Sequence, residues 1–380
     1  MEEATIVQTL KTEPECQGFF YDGRFHDNPP EPASHQENVY YSKYSTGCPM
    51  SGCVFLDVVL KGETLESYTK DDVLIETRKV IQAHKKANFT AKVNTSGACI
   101  YDLVPTRVIE KFFSRKEQLY KQVIKTSIIP DDYEILHKAH VLSSRIEERK
   151  IKTRLDTTDR VSYDIYSSAT GRFATKKGSF PILNLKKELR QELRPKNDLF
   201  VELDYNGAEV RTLLAMSGRP QPDVDIHDWN NRFCLESENL SREEAKRSFF
   251  AWLYNAGKKD LNFEKIYDKT IYKQFYSDGS ILTPFGRNLP VDDSKALNYL
   301  LQSTTADIVT EKAFNILNIL KGNKTEICFT IHDSVVLDVD RREFELVKSI
   351  RKEFETTRLG IFKSNIKLGK NFGEMKEILI

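Results

Sequence analysis

The stretch from Leu199 to Gly218, LFVELDYNGAEVRTLLAMSG, constrains the fold of this chain most, because it places a carboxylate where a strand gives way to a helix. Apolar and polar residues alternate up to Asp204, which indicates a half-buried strand with Asp204 at its exit. Asn206 is a favourable N-cap residue, and Glu209 follows three residues later, where a capping box would place it. Apolar residues then recur at helical spacing until Gly218 ends the predicted helix.

Length and composition indicate a packed protein of two or three domains. The chain has 380 residues, of which 39% are hydrophobic, and this excludes a disordered polymer. Its 57 Lys and Arg residues nearly balance its 56 Asp and Glu residues, so the total charge does not favour a polyanionic partner. Residues 170–196 differ, with eight basic against two acidic side chains. This local surplus fits either a solvated face or a surface for a polyanion.

The six cysteines are scattered, and the sequence shows no signal peptide and no apolar run of membrane-spanning length. We therefore expect an intracellular, cytoplasmic protein without disulfides and without membrane association. Cys48 and Cys53 form a Cys-x4-Cys pair, with Cys16, His26 and His35 upstream. A zinc site is one interpretation of this group, but the spacing is loose and no second tight pair follows, which favours ordinary structural cysteines.

Periodicity predicts the remaining elements. Residues 1–55 contain several prolines and no sustained period, which predicts an irregular segment. A hairpin is predicted over residues 327–337, with Asp333 at its tip. Apolar residues at helical spacing predict further helices over residues 71–87, 106–124, 131–150, 241–257, 294–320 and 343–354.

Two carboxylates, Asp204 and Asp333, stand at turn points of otherwise apolar strands. Either one alone is best interpreted as an ordinary turn residue. Held together, the two side chains would repel each other unless a divalent cation lay between them. Such a pair is the arrangement that two-metal enzymes use to displace phosphoryl oxygens in line.

The helix that Ser241 caps carries a second chemical pattern. Arg242, Lys246, Phe250 and Tyr254 recur at intervals of four and therefore lie on one slowly drifting face of the helix. Two cations followed by two aromatic rings suit a triphosphate and a base, whereas the alternative is a solvated edge with two stray rings.

These motifs, in this order, resemble those of the DNA polymerase I-type (family A) DNA polymerases. The resemblance covers residues 100–380 and rests on several linked motifs: Leu203–Arg211, the helix from Arg242 to Tyr254, Ile331–Asp333, Thr170–Arg172, Asp225–His227, Thr283–Arg287, Asn298–Asp307 and Gly369–Glu374. It implies an α+β, right-hand fold with an antiparallel palm sheet and a largely helical thumb and fingers. The implied domains are an N-terminal segment of unknown role (1–100), a thumb (101–165), a palm in two parts (166–218 and 301–380) and reduced fingers (219–300).

The resemblance also implies the role of each motif residue. Asp204, Asp333 and the backbone carbonyl of Tyr205 are expected to hold two Mg²⁺ ions, with Mn²⁺ as an alternative. The implied substrates are dNTPs and a primer-template DNA, joined by nucleotidyl transfer, and Lys246 is expected to act in catalysis. The remaining expected contacts are Glu209, His227, Arg242, Lys246, Phe250 and Tyr254 to the nucleotide, and Arg172, Arg287, Asn298, Gln302 and His332 to the primer-template. Glu209 is further expected to exclude the ribose 2′-hydroxyl, in addition to or instead of capping its helix.

The sequence departs from the family pattern at several positions. Ser334 stands where the family usually has a second acid, Asn255 replaces a glycine, Asn206 and Gly207 replace the usual Ser-Gln pair, and Phe372 replaces Trp. The segment before residue 100 is too short for the proofreading exonuclease that often precedes this core, so we expect a separate exonuclease or processivity subunit. Two alternatives remain open: a single-subunit-type RNA polymerase, which shares the His-Asp-Ser triplet, and a non-catalytic nucleic-acid-binding relic of the fold.

Overall fold

The chain is divided into two compact units, Met1–Tyr133 and Glu134–Ile380. The computed structural model describes residues 6–10, 18–28, 39–40, 54–153, 158–235, 240–255 and 260–378. Each unit has its own hydrophobic core. The boundary falls inside the predicted thumb, 101–165, and the assignment of domains stays a prediction.

The described part of the first unit contains a small antiparallel sheet and a group of helices. Its strands are β1 Ile6–Thr9, β2 Phe19–Tyr21, β3 Arg24–His26 and β4 Val39–Tyr40, in the sheet order β3-β2-β1-β4. Its helices are α1 Val54–Leu60, α2 Leu65–Thr69, α3 Asp72–Thr90, α4 Ile100–Leu103 and α5 Thr106–Thr126. The prediction of an irregular segment over 1–55 is therefore wrong for these strands, because strands of two to four residues are too short to show a period.

Cys99, the residue before α4, is bonded in a disulfide, so the expectation of no disulfides is wrong at this position. Disulfide formation depends on the separation of two Cα atoms in the fold, which cysteine spacing does not reveal. Cys16, Cys48 and Cys53, the cysteines of the disfavoured zinc interpretation, lie outside the described residues.

The second unit holds the larger sheet and most of the motifs. Its helices are α6 Tyr133–Glu148, α7 Lys187–Arg190, α8 Ala208–Met216, α9 Ile226–Cys234, α10 Arg242–Leu253, α11 Leu261–Glu264, α12 Asp293–Ile319 and α13 Leu346–Glu355. Tyr133, the first residue of α6, is also the last residue of the first unit. Its strands are β5 Lys150–Thr153, β6 Thr158–Arg160, β7 Tyr163–Asp164, β8 Ala174–Thr175, β9 Leu193–Arg194, β10 Leu199–Tyr205, β11 Tyr276–Ser277, β12 Ser280–Leu282, β13 Asn288–Pro290, β14 Glu326–Ile331, β15 Ser334–Val339, β16 Thr356–Thr357, β17 Gly360–Ile361, β18 Ser364–Gly369 and β19 Lys376–Ile378.

Strand β10 lies at the centre of the antiparallel sheet β14-β15-β10-β18-β19. It pairs with β15 so that Leu199 faces Val339 and Asp204 faces Ser334, and with β18 so that Asp204 faces Asn365. Phe200, Val201 and Leu203 are buried in the main core of this unit, which explains why the strand is mostly apolar. The fold is α+β with antiparallel sheets, as the sequence predicts.

The predicted helices are present, and their observed ends differ from the predicted ends by a few residues. The helix predicted over 241–257 ends at Leu253, and Ser241 caps it through a capping box with Glu244. Residues 256–259 lie outside the described part of the chain. The last predicted helix begins at Leu346, after a 3₁₀ turn at Arg341–Glu343. Within the described ranges, every helix is too short or too polar to cross a membrane.

Candidate active site

The two predicted aspartates meet at one end of the central sheet. Asp204 faces Ser334 across the β10–β15 pair, and Asp333 is the residue before Ser334, in the tight turn between β14 and β15. His332 precedes it with a φ of 52°, in the left-handed region. The backbone N–H of Tyr205 donates to the carbonyl of Asp333 at 3.4 Å, which joins the strand end to the turn. Both aspartates line one cleft of about 410 Å³.

The electrostatics of this cleft favour a cation. Burial, with contributions from Asp333 and Glu202, raises the pKa of Asp204 to about 7. Burial also raises the pKa of Asp333, with Glu209 contributing. A raised pKa means that the ionised carboxylate is poorly stabilised by its surroundings. A bound divalent cation would supply the positive charge that stabilises it.

Asn206 does not cap α8, and the prediction of a capping box with Glu209 is wrong. The N-cap is Gly207, with φ 67° and no side-chain cap. A Cβ on Gly207 would lie 2.5 Å from the Cγ2 of Ile226, so this close approach also requires glycine. The Asn206 amide oxygen instead accepts hydrogen bonds from the Ile226 N–H at 2.7 Å and from Arg211 at 3.1 Å. Tertiary partners thus replace the local cap.

Arg211 holds the loop that brings the next motif to the cleft. Its side chain is fully buried, and its guanidinium donates to the carbonyls of Asn206 at 2.8 Å, Pro222 at 3.0 Å and Val224 at 2.8 Å. Burial lowers its pKa to about 10. Arg211 is the last residue of the motif Leu203–Arg211, and the sequence assigns it no role. Only the folded loop shows that it fixes the segment before Asp225.

Asp225 anchors the cationic face of α10. Its carboxylate accepts from Arg242 at 2.7 and 3.1 Å and from the Asn206 amide at 2.5 Å, and it also caps α9. Although burial opposes the effect, the hydrogen bonds from Arg242 and Asn206 lower the pKa of Asp225 to about 2. The Asp225 carboxylate therefore holds Arg242, the residue predicted to contact phosphates, in place.

Three of the four residues predicted to share one face of this helix line the cleft, whereas Tyr254 is the C-cap residue of α10 and does not. Arg242, Lys246 and Phe250 line the cleft, while Phe249 and Trp252 are buried on the other side. Among the described residues Lys246 forms no ion pair within 4 Å, and its positive charge partly offsets the rise that burial causes in the pKa of Asp204. The rings of Phe250 and Tyr254 stack at a centroid distance of 5.7 Å and an interplanar angle of 12°.

His227 lies in the same cleft with an unsatisfied ring nitrogen. It is 3% exposed, and its Nδ1 has no hydrogen-bond partner among the described residues. Burial lowers the pKa of His227 to about 4, so the imidazole is neutral near pH 7. Its predicted contact with phosphate is therefore a hydrogen bond from a neutral ring. The His227 residue lines the cleft, while its Nδ1 atom itself is buried.

Glu209 is held from two sides. Arg172 forms an ion pair with it, and the hydroxyl of Tyr254 donates a hydrogen bond to its other carboxylate oxygen. The Tyr254 hydroxyl also forms a hydrogen bond with the side chain of Gln302. Four residues that the sequence places far apart thus form one contiguous group at the rim of the cleft.

The remaining predicted primer-template residues are placed differently. His332 lines the cleft and is exposed. Arg287 is buried instead, in an ion pair with Asp307 at 2.8 Å. It lies under Gly171, where an added Cβ would meet the guanidinium at 2.7 Å. Asn298 is half-buried on α12 and does not line the cleft.

A third carboxylate, which the sequence did not single out, lies beside Asp204. Glu202 accepts hydrogen bonds from Ser334 at 3.3 Å and from Lys367 at 3.1 Å. The period-two pattern places Glu202 on the same face of β10 as Asp204, but the pairing with β15 and β18 is what brings Ser334 and Lys367 to it. In the part of the chain that the structure describes, no group of three or more His, Cys, Asp or Glu side chains has a metal-binding arrangement.

Comparisons with known proteins identify relatives among phage enzymes. No family model matches the chain. It is 22% identical to a DNA polymerase of Bacillus phage SP01, over 63% of this chain and 34% of that protein. It is 25% identical to the DNA polymerase of Mycobacterium phage L5, over 39% of this chain and 29% of that protein, and 25% identical to that of Mycobacterium phage D29, over 36% and 28%.

The chain thus spans about a third of the length of the curated relatives it matches. A solved structure described as the POL domain of Pol1 from M. smegmatis, in complex with DNA primer-template and dNTP, matches with a TM-score of 0.48. The match has 14% identity and covers 81% of this chain and 66% of that one.

Proposed function

We propose that this chain, a relative of phage DNA polymerases, is a template-directed DNA polymerase of the DNA polymerase I type (family A). It would extend the 3′ end of a primer with dNTPs and release pyrophosphate. The observation that carries the proposal is the single cleft that contains Asp204 and Asp333 on one wall and Arg242, Lys246 and His227 on the other. Paired carboxylates opposite phosphate-binding groups are the arrangement that phosphoryl transfer requires.

The donor set fits a hard divalent cation. Asp204, Asp333 and the backbone carbonyl of Tyr205 would hold Mg²⁺, two ions in the complete complex, with Mn²⁺ as an alternative. The side chain of Tyr205 is not available, because its ring stacks on Phe354 at 4.0 Å. When bound, the ions activate the primer hydroxyl and stabilise the charge of the leaving pyrophosphate.

The opposite wall would orient the triphosphate. Lys246 supplies an unpaired ammonium group, and the neutral imidazole of His227 supplies a hydrogen bond from its buried position. Arg242 is already fixed by Asp225, so little of its side-chain entropy is lost on binding. The stacked rings of Phe250 and Tyr254 offer a flat apolar surface beside the sugar and base.

Glu209 would select the sugar. Arg172 and Tyr254 fix its carboxylate from both sides, which leaves it little freedom to move away from an additional hydroxyl group. A ribose 2′-hydroxyl entering that space would meet a rigid side chain whose oxygens are already engaged. The same arrangement argues against the RNA polymerase alternative.

The primer-template would lie along Arg172, His332 and Gln302, with Asn298 further along α12. Arg287, since it is buried, would act by supporting the Gly171–Arg172 turn from below. We propose that proofreading and processivity come from separate subunits and that the protein acts inside the cell, in the cytoplasm.

Primer extension on a DNA template tests the proposal directly. The wild type, given Mg²⁺ and dNTPs, should extend a labelled primer, and Asp204→Asn or Asp333→Asn should reduce the rate at least about 10³-fold, because an amide cannot replace a metal-binding carboxylate. The matched control is Asp278→Asn, in the exposed β11–β12 turn, where asparagine tolerates the left-handed φ of 51°.

Extension with ribonucleotides in preference to dNTPs would favour the RNA polymerase alternative. DNA binding without any extension, by a folded wild type, would favour the non-catalytic relic. Full activity of both asparagine variants would remove the aspartates from the mechanism.

A further inference from the structure

A cross-strand ion pair lies in the middle of the central sheet, beside the candidate active site. Glu202 of β10 faces Lys367 of β18, and the Lys367 ammonium group donates to the Glu202 carboxylate at 3.1 Å. Neither residue lines the cleft that contains Asp204 and Asp333. The motifs in the sequence and the proposed function assign no role to this pair.

Side chains from both neighbouring strands hold the Glu202 carboxylate. One oxygen accepts from Lys367 on β18, and the other accepts from the hydroxyl of Ser334 on β15 at 3.3 Å. Ser334 itself faces Asp204 across the β10–β15 pair. The negative charge of Glu202 therefore has a fixed place next to the strand end that carries Asp204.

The geometry of β10 brings this charge close to Asp204. Side chains two residues apart on a strand project from the same face, with their Cα atoms about 7 Å apart. Glu202 and Asp204 share one face in this way. Burial and Asp333 raise the pKa of Asp204, Glu202 adds to that rise, and Lys367 opposes it. Both charges of the pair thus act on a residue that the proposed function assigns to metal binding.

The stability of the sheet does not account for a glutamate at this position. The Glu202 side chain is 14% exposed, and much of what an ion pair gains there is lost in taking the carboxylate out of water. An apolar β-branched residue suits a central strand better. Because water screens a charge in a half-buried place less than at the surface, Glu202 can act on a cation beyond direct contact.

We propose that Glu202 is a positioning residue that acts through Asp204 and increases the affinity of the site for a divalent cation, and that Lys367 limits this increase. The inference rests on the proposed function, which places a cation at Asp204 and Asp333. Carboxylates behind the direct ligands strengthen metal binding in this way in other proteins. The pair would thus set the Mg²⁺ concentration at which the site fills.

Titration of the full chain with Mn²⁺, without DNA or nucleotide, tests the inference, and electron paramagnetic resonance measures the free ion. Glu202→Gln keeps the size of the side chain but removes its charge, and it should weaken Mn²⁺ binding on the order of tenfold. Glu202→Asp keeps the charge and should bind Mn²⁺ more tightly than Glu202→Gln. Lys367→Met removes the opposing charge and should tighten binding by about threefold or more, the opposite sign.

The Mg²⁺ dependence of primer extension gives a second readout. The half-saturating Mg²⁺ concentration should rise on the order of tenfold in Glu202→Gln and fall in Lys367→Met, and excess Mg²⁺ should restore most of the rate that Glu202→Gln loses. A purely structural role of the pair would lower the rate at every Mg²⁺ concentration. If Mn²⁺ binds too weakly to measure without DNA, this comparison decides.

Glu326→Gln is the matched control. Glu326 lies at the other end of β14 from the turn with Asp333 and pairs with Arg149 at 3.4 Å. At about 3.3 Å per residue, five residues separate it from that turn by roughly 16 Å, so its removal should change Mn²⁺ affinity by less than about twofold. A decrease as large as that of Glu202→Gln would show a general charge effect and overturn the inference.

The remaining outcomes separate the inference from the proposed function. Wild-type affinity in Glu202→Gln, with Mn²⁺ binding lost in Asp204→Asn, would refute the inference and leave the proposed function standing. Weaker binding in both Glu202→Gln and Lys367→Met would show that the site needs the intact pair for its shape, against a charge effect. Unchanged Mn²⁺ binding by Asp204→Asn, together with a wild type that does not extend primers, would refute both.

Discussion

Asp204 lies directly opposite Ser334 across the β10–β15 pair. Asp333, the residue before Ser334 in the β14–β15 turn, therefore lies next to Asp204. The second acid of the pair therefore comes from the turn and not from the strand. Where the sequence motif leads us to expect another acid, Ser334 instead donates a hydrogen bond to Glu202. Backbone pairing sets the register of Asp204 with the turn that carries Asp333, whereas Glu202 is also held by the side chains of Ser334 and Lys367.

The pH dependence of stability should reveal this carboxylate pair. Because burial raises the pKa of Asp204 to about 7, above its ordinary 3.8, the folded chain favours the protonated acid. Without divalent cations, the stability that protonated Asp204 contributes is therefore fully present below about pH 4 and is lost as the pH rises through 7. By calorimetry at about pH 8 in EDTA, Asp204→Asn should melt a few degrees, about 2–5 °C, above the wild type.

Near pH 4 the two proteins should melt together, roughly within a degree. Added Mg²⁺ should raise the Tm of the wild type more than that of Asp204→Asn, since the metal stabilises the form that binds it. Parallel pH profiles for both proteins would show that Asp204 does not titrate in this range.

Sugar selection should depend on the group formed by Glu209, Arg172 and Tyr254. Glu209→Ala opens the space of the 2′-hydroxyl and should raise the relative kcat/KM for ribonucleotides by at least about tenfold. Tyr254→Phe removes one hydrogen bond to Glu209 and should give a smaller effect in the same direction, with the double variant less than additive. Single-nucleotide incorporation kinetics measure both. Glu345→Ala, an exposed acid just before α13 that pairs with Lys348, serves as the control and should leave discrimination unchanged.

Dideoxynucleotides should be poor substrates for the wild type, because Phe250 offers no hydroxyl group beside the sugar. Phe250→Tyr adds one polar group to the same ring and should increase dideoxy incorporation relative to dNTPs by about tenfold or more. Competition between dideoxy and deoxy substrates in primer extension measures the ratio. Equal use of both substrates by the wild type would contradict this role of Phe250.

Arg211 should be essential for the shape of the cleft. Arg211→Leu leaves the carbonyls of Asn206, Pro222 and Val224 without their buried donor and should cost about 3 kcal/mol of unfolding free energy. Chemical denaturation measures this decrease. The exposed Arg219 provides the control, and Arg219→Leu should stay within about 0.5 kcal/mol of the wild type. A decrease of similar size in both variants would argue against the loop-anchoring role.

Local sequence predicted the elements that carry the site better than it predicted their ends. The strand up to Asp204 and the helix with Arg242 and Lys246 have strong periods, because each buries one face, and both were located correctly. The short strands of the first unit and the disulfide at Cys99 were missed. Their causes are pairing partners distant in sequence, which leave no local pattern.

The sequence by itself predicted which residues would carry chemistry: two aspartates at strand ends, a cationic helix face and an acid at the start of α8. The tertiary structure decided how these groups are used. It turned Asn206 from a cap into a link between Arg211 and Asp225, buried Arg287 against Asp307, and set Glu202 beside Asp204. Periodicity reports only which face of an element is buried, whereas hydrogen bonds and ion pairs between distant segments depend on how those faces pack.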